Sequence, residues 1–171
     1  MVDMFRYFCM VVVAIVVVGC VDFVQPKLGQ PAAQLEITSA KKGAFDANVF
    51  GAFDADPCLD KGARLRNLTA GLDWVSTGRQ SLRVAPGTPL FLYGKYQLFA
   101  GVQMVVNGAV IGKTDSCVSV ASFLPEVSHK YRLVQNGSLT NCDLQVVDLA
   151  TGEVAEGFRL HDVNACLLET R

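Results

Sequence analysis

From Ser81 onward, apolar and polar residues alternate in short runs, and each run ends in a turn signal. Leu82 and Val84 alternate, and Pro86-Gly87-Thr88-Pro89 closes their run. Leu90 to Ala100 is longer and aromatic, with Gly94 expected at a bulge or bend. Asn107-Gly108, between Val102–Val106 and Ala109–Gly112, supplies the two positive-φ positions of a tight type I′ hairpin turn. Cys117, Ser119, Ala121 and Phe123 share one strand face, and Pro125 ends that run. His129 to Gln135 points Tyr131 and Leu133 inward and Lys130 and Arg132 outward. Asn136-Gly137 is expected to turn the chain into a strand from Cys142 to Leu149, with Thr151-Gly152 as the next turn. Short strands punctuated about every 8–12 residues are the pattern of an all-β sandwich or barrel. Upstream, Gln34–Thr38 alternates as a first strand. Leu65, Leu68 and Leu72 have the spacing of one short helix around 64–72. The near-repeat Gly43-Ala44-Phe45-Asp46-Ala47 and Gly51-Ala52-Phe53-Asp54-Ala55 suggests two loops, each pinned by a phenylalanine.

The N-terminus follows a different rule. Sixteen of the first 19 residues are hydrophobic, and Tyr7–Val18 is an unbroken run of 12. That is the length of a signal-peptide h-region and too short to span a bilayer, which takes about 20 residues. The rest of the chain holds about 47% apolar residues, an ordinary globular content. The balance of 15 basic against 16 acidic residues gives no footprint for nucleic acid.

The apolar run ends Val17-Val18-Gly19-Cys20. Here the chain resembles the bacterial lipoproteins, whose lipobox places an aliphatic residue, a small or aliphatic residue, Gly or Ala, and then Cys. The resemblance implies a diacylglycerol thioether on Cys20, cleavage before it, and a palmitate-type acyl chain on the new terminus. It departs from the commonest pattern in having Val17 where Leu is usual, and Asp3 in the n-region. An ordinary cleaved signal and an uncleaved anchor are the alternatives. In Gram-negative lipoproteins an Asp directly after the lipid cysteine favours the inner membrane. Val21 stands there and Asp22 one further on, so the resemblance implies outer-membrane sorting in a Gram-negative source. Each buried methylene contributes about 0.8 kcal/mol, so two or three chains hold a protein firmly. The expected organisation is a lipoprotein signal peptide over 1–19, a lipidated tether over 20–33 rich in Pro and Gly, and a β-sandwich domain over 34–171.

With Cys9 discarded and Cys20 lipidated, Cys58, Cys117, Cys142 and Cys166 remain. Four cysteines in an exported domain permit three pairings. The favoured one is Cys117–Cys142 with Cys58–Cys166; free buried thiols are the alternative. Strands two apart in a meander lie about 9.6 Å from each other, beyond the reach of a disulfide. Cys117–Cys142 therefore requires facing sheets, direct pairing, or strands bent together at their ends. No CxxC pair or histidine spacing points to zinc.

The stretch from Ser81 to Leu149 loosely resembles small immunoglobulin-like and transthyretin-like envelope sandwiches. It is also similar to PEGA-type modules, through Arg83-Val84-Ala85-Pro86-Gly87-Thr88-Pro89-Leu90 and through Phe123, Pro125 and Tyr131. That resemblance implies no catalytic residues. The chain's own residues name none: there is no HExxH, GxSxG, P-loop or GxGxxG. His129 reads as a strand-end residue, and His161 beside Asp162 as a weak base candidate. Asp54, Asp56 and Asp60 are spaced like calcium ligands. The sixth and twelfth places are Leu59 and Leu65, where an EF-hand loop needs Gly and Glu. Trp74, Phe91, Tyr93 and Tyr96, with Phe99 nearby, are the candidates for an interaction surface, with core packing as the plainer role. Phe91 and Tyr93 share a strand parity, and Tyr96 has the other unless Gly94 shifts it.

The expected function is a membrane-anchored, non-catalytic binding or structural module of the envelope without a cofactor. Its partners would be the membrane, through Cys20, and an envelope protein or glycan. An inhibitor of a lysozyme or protease is the second reading, and a hydrolase the third.

Overall fold

The computed structural model describes residues 23–38, 46–68, 79–106, 109–138 and 141–166. The signal segment, Cys20 and Trp74 lie outside them. The strands are β1 (Ala33–Thr38), β2 (Asp46–Phe53), β3 (Leu65–Asn67), β4 (Arg79–Val84), β5 (Leu90–Val106), β6 (Ala109–Phe123), β7 (Lys130–Ser138), β8 (Asn141–Asp148) and β9 (Arg159–His161). A short helix, α1 (Val163–Cys166), follows. They form a four-stranded sheet in the order β4-β1-β7-β8 and a five-stranded sheet in the order β3-β2-β5-β6-β9. The fold is all-β and disulfide-stapled.

Alternation explains the packing. Leu35, Ile37, Leu82, Tyr131, Leu133 and Val146 are buried from the first sheet, and Phe50, Ala52, Leu92, Ala121 and Phe123 from the second. They form one continuous cluster. Between the sheets, the Phe123 and Tyr131 rings meet edge-to-face, with centroids 5.0 Å apart and planes at 67°. Such a contact contributes about 0.5–1.5 kcal/mol beyond area burial. The buried Tyr131 hydroxyl accepts a hydrogen bond from the Glu126 amide at 3.1 Å, so its polar end is satisfied. Most strand pairs are antiparallel. β1 and β7 run parallel, with Leu35 opposite Tyr131 and Ile37 opposite Leu133.

Cys117 is bonded to Cys142, joining β6 of one sheet to β8 of the other, with Cα atoms 5.8 Å apart. These are facing strands, one of the arrangements that the distance argument admits. Beside the bridge, the Ser119 hydroxyl donates to the Cys142 carbonyl at 2.9 Å. The second disulfide, Cys58–Cys166, ties the loop after β2 to α1.

Several local expectations are corrected. Gly94 is neither bulge nor bend: β5 keeps register with β2 and β6 through it, and the irregularities fall between Phe99 and Met104. Gly94 is there because the sheets approach closely. A Cβ on it would lie 2.9 Å from Leu144 Cδ1 and 3.0 Å from Gln135 Oε1. Residues 65–67 form β3 rather than the start of a helix, because they pair with Gly51–Phe53. The second copy of the Gly-Ala-Phe repeat lies in β2, since Gly51, Ala52 and Phe53 pair with Tyr93, Leu92 and Phe91. Asn136 and Gly137 stay within β7, paired with Asp143 and Cys142, so the chain turns after them.

Residues 23–32 have no regular structure, yet they are strapped to the β4 edge. The Arg83 guanidinium donates to the Pro26 carbonyl at 3.0 Å and the Gln30 carbonyl at 2.7 Å. The Arg83 amide donates to Gln25 Oε1 at 2.9 Å, and Phe23 packs against the core. A turn closed by Gln30 N–H to the Lys27 carbonyl shapes the strap, and Gly29 supplies its φ of 88°.

β5 and β6 outrun their neighbours. β5 has 17 residues, while its described pairing with β2 stops at Leu98. Among the described strands, β5 beyond Leu98 pairs only with β6, as a two-stranded ribbon ending at Val106 opposite Ala109.

Candidate interaction surface

The aromatic candidates separate by parity. Tyr96 follows Leu92 and Gly94 onto the inward face and is buried, so it belongs to the core. Phe91 and Tyr93 point to the outer face of the five-stranded sheet. There they join Phe53 of β2, opposite Phe91, and Val120 of β6, opposite Tyr93. The Phe53 and Tyr93 rings meet edge-to-face at 6.3 Å and 87°. This is a second, smaller apolar cluster, completed by Ala63, Val163 and the Cys58–Cys166 bridge.

The loop that covers it is held by its own carboxylates. Asp54 accepts from the Arg64 amide at 2.7 Å, Asp56 from the Cys58 amide at 2.8 Å, and Asp60 from the Gly62 amide at 2.8 Å. Asp56 and Asp60, of the three aspartates spaced like calcium ligands, cap turns, while Asp54 joins the end of β2 to Arg64 and pairs with Arg66 at 3.6 Å. Phe91 and Tyr93 remain half-buried at the margin of this cover, and burial raises the Tyr93 hydroxyl above its ordinary pKa. The arrangement sets aromatic edges beside a disulfide-fastened loop.

Three polar constellations appear only in three dimensions. On the same outer face, His161 Nε2 lies 2.8 Å from the Ser122 hydroxyl, and its ring sits 6.0 Å from that of Phe91. Asp162, the neighbour of His161 in sequence, accepts from the Asn164 amide at 2.9 Å. The ligand atoms of Cys58, His161 and Cys166 gather within 4.8 Å of one another. The two sulfurs are bonded to each other, which occupies the atoms a metal would take. No short spacing announced this cluster, because 108 residues separate its cysteines.

The third constellation is at the strand end. His129 Nδ1 lies 2.7 Å from Asp148 Oδ2, and Nε2 lies 3.5 Å from Glu126. The hydrogen bond to Asp148 raises the His129 pKa, and the Glu126 charge adds to this. The same hydrogen bond, helped by the Ala150 amide, lowers the Asp148 pKa. His129 thus clasps the start of β7 to the end of β8. Ser128 beside it adopts φ 67° while its amide donates to the Ala32 carbonyl at 3.1 Å.

No helix of the described residues is long and apolar enough to cross a membrane. No family model, curated protein or solved structure matches this chain.

Proposed function

We propose that the chain is a lipid-anchored protein of the bacterial envelope whose β-sandwich acts as a non-catalytic binding or structural module. The observation that carries this reading is Val17-Val18-Gly19-Cys20 at the end of a 12-residue apolar run. Two disulfides in a small β domain suit an oxidising compartment outside the cytoplasm. The half-buried aromatic edges of Phe91 and Tyr93 supply a surface for an envelope protein or glycan.

The test is Cys20→Ser, followed by intact mass and membrane fractionation. The expected product is a full-length precursor that is neither lipidated nor cut before residue 20. An unchanged mature mass with unchanged membrane retention refutes the anchor. Crosslinking in living cells, read by mass spectrometry, then identifies what the outer face holds.

A further inference from the structure

We infer that the strap 23–31 is a membrane-contacting face, with Val24 and Leu28 seated in the lipid surface that holds the acyl chains of Cys20. The inference rests on the proposed lipid anchor and adds an orientation to it. Cys20 stands three residues before Phe23, and Phe23 is packed against the core. At most about 3.6 Å of chain per residue leaves the anchor about 11 Å from Phe23. Arg83 pins the strap at Pro26 and Gln30, so the domain has little tether on which to swing away.

The side chains on that strap suit a bilayer surface. Val24 is 89% exposed and Leu28 is 93% exposed. Scattered exposed apolar residues are common on soluble proteins. These two are distinguished by lying within reach of the lipid. They flank Lys27, whose stem can lie along the apolar surface while its ammonium meets headgroup phosphates. A groove of about 570 Å³, in which Val24, Pro26, Pro31, Ala85 and Pro86 stand beside Gln25, Lys27 and Gln30, carries this surface onto the turn after β4. β5 starts just beyond that turn, so the β5–β6 ribbon points away from the bilayer.

The experiment uses the mature lipidated protein, beginning at Cys20, in phosphatidylethanolamine–phosphatidylglycerol vesicles with brominated acyl chains. In a Trp74→Phe background, Leu28→Trp and Ser116→Trp each supply a sole tryptophan, excited selectively over tyrosine; both sites are exposed, which spares the fold. Ser116 lies seven residues up β6 from Phe123, about 24 Å along the strand. The expected result is at least twofold quenching of Leu28→Trp and none of Ser116→Trp. No quenching of Leu28→Trp, or equal quenching at both sites, in protein whose mass shows lipid on Cys20 overturns this inference alone. Absence of lipid on Cys20 overturns the anchor reading and this inference with it.

Discussion

Gly94→Ala tests whether the close approach of the sheets, rather than backbone freedom, dictates glycine in β5. In an ordinary strand interior, alanine is favoured over glycine by about 0.5–1 kcal/mol. Here the new Cβ would sit 2.9 Å from Leu144 Cδ1 and 3.0 Å from Gln135 Oε1. Both neighbours are side-chain ends, but Leu144 is 0% and Gln135 2% exposed, so neither has solvent to move into. Overpacking a core of this kind costs about 1–3 kcal/mol. The net expectation is a loss of up to about 2.5 kcal/mol, a fall in Tm of up to about 5–10 °C for a domain of this size. Urea unfolding and calorimetry of the oxidised protein measure it. Leu144→Val shortens the side chain that the methyl meets, so it should cost less in the Gly94→Ala background than alone. A variant more stable than the parent by the ordinary strand gain of about 0.5–1 kcal/mol, or additive energies in the double variant, refutes the close-approach argument.

Replacing both Cys117 and Cys142 with alanine should lower stability by about 3.5 kcal/mol, the chain-entropy value for a separation of 25 residues; a loss below about 1 kcal/mol in urea titration counts against the cross-sheet bridge as a major restraint. The His129–Asp148 clasp should make stability depend on pH in two directions. The raised His129 pKa gives stability that is complete below its ordinary value of 6.5 and is lost as pH rises through the folded value. The lowered Asp148 pKa gives stability present above its ordinary 3.8 and lost as pH falls through the folded value. The stability gap between the parent and His129→Gln should therefore be wider near pH 5.5 than at pH 8, and a gap that does not change with pH removes the clasp from the account.

What was legible in the sequence was the alternation. Tyr131 and Leu133 inward, and Ser119, Ala121 and Phe123 on one buried face, follow from a period of two that only one strand register satisfies. The two-sheet architecture was one of three arrangements open to a Cys117–Cys142 bridge, because the bridge and a flat meander exclude each other geometrically; β6 and β8 face each other. Where local signals were ambiguous, tertiary partners decided. Leu65 and Leu68 suit a helix or a strand end, and pairing with β2 chose the strand. Asn136-Gly137 has turn chemistry, but Cys142 and Asp143 lie opposite it in the ladder. The aromatic site was half legible: parity separated Tyr96 from Phe91 and Tyr93. Nothing local showed that α1 and the loop after β2 would cover the outer face, because that cover depends on residues 108 positions apart. His129 read as a strand-end residue, and its carboxylate partner lies 19 residues away across β7 and β8.

The parallel pairing of β1 with β7 has a consequence for the order in which the protein can assemble. Leu35 waits for Tyr131, 96 residues later in the chain, before its sheet has an interior. Until β7 arrives, β1 has only β4 beside it, and a two-stranded ribbon is at best marginally stable in water. Sequence-distant pairing of this kind slows folding, because the loop entropy is lost before the contacts form. Four strands of the other sheet, β3-β2-β5-β6, have no such delay: Val106 of β5 pairs with Ala109 of β6, and β2 pairs with β5 as far as Leu98. A chain emerging from its N-terminus should therefore pair β3, β2, β5 and β6 first, and add β9 and the sheet carrying the strap afterwards. The strap and β1, though made before the other strands, would be among the last to find their place.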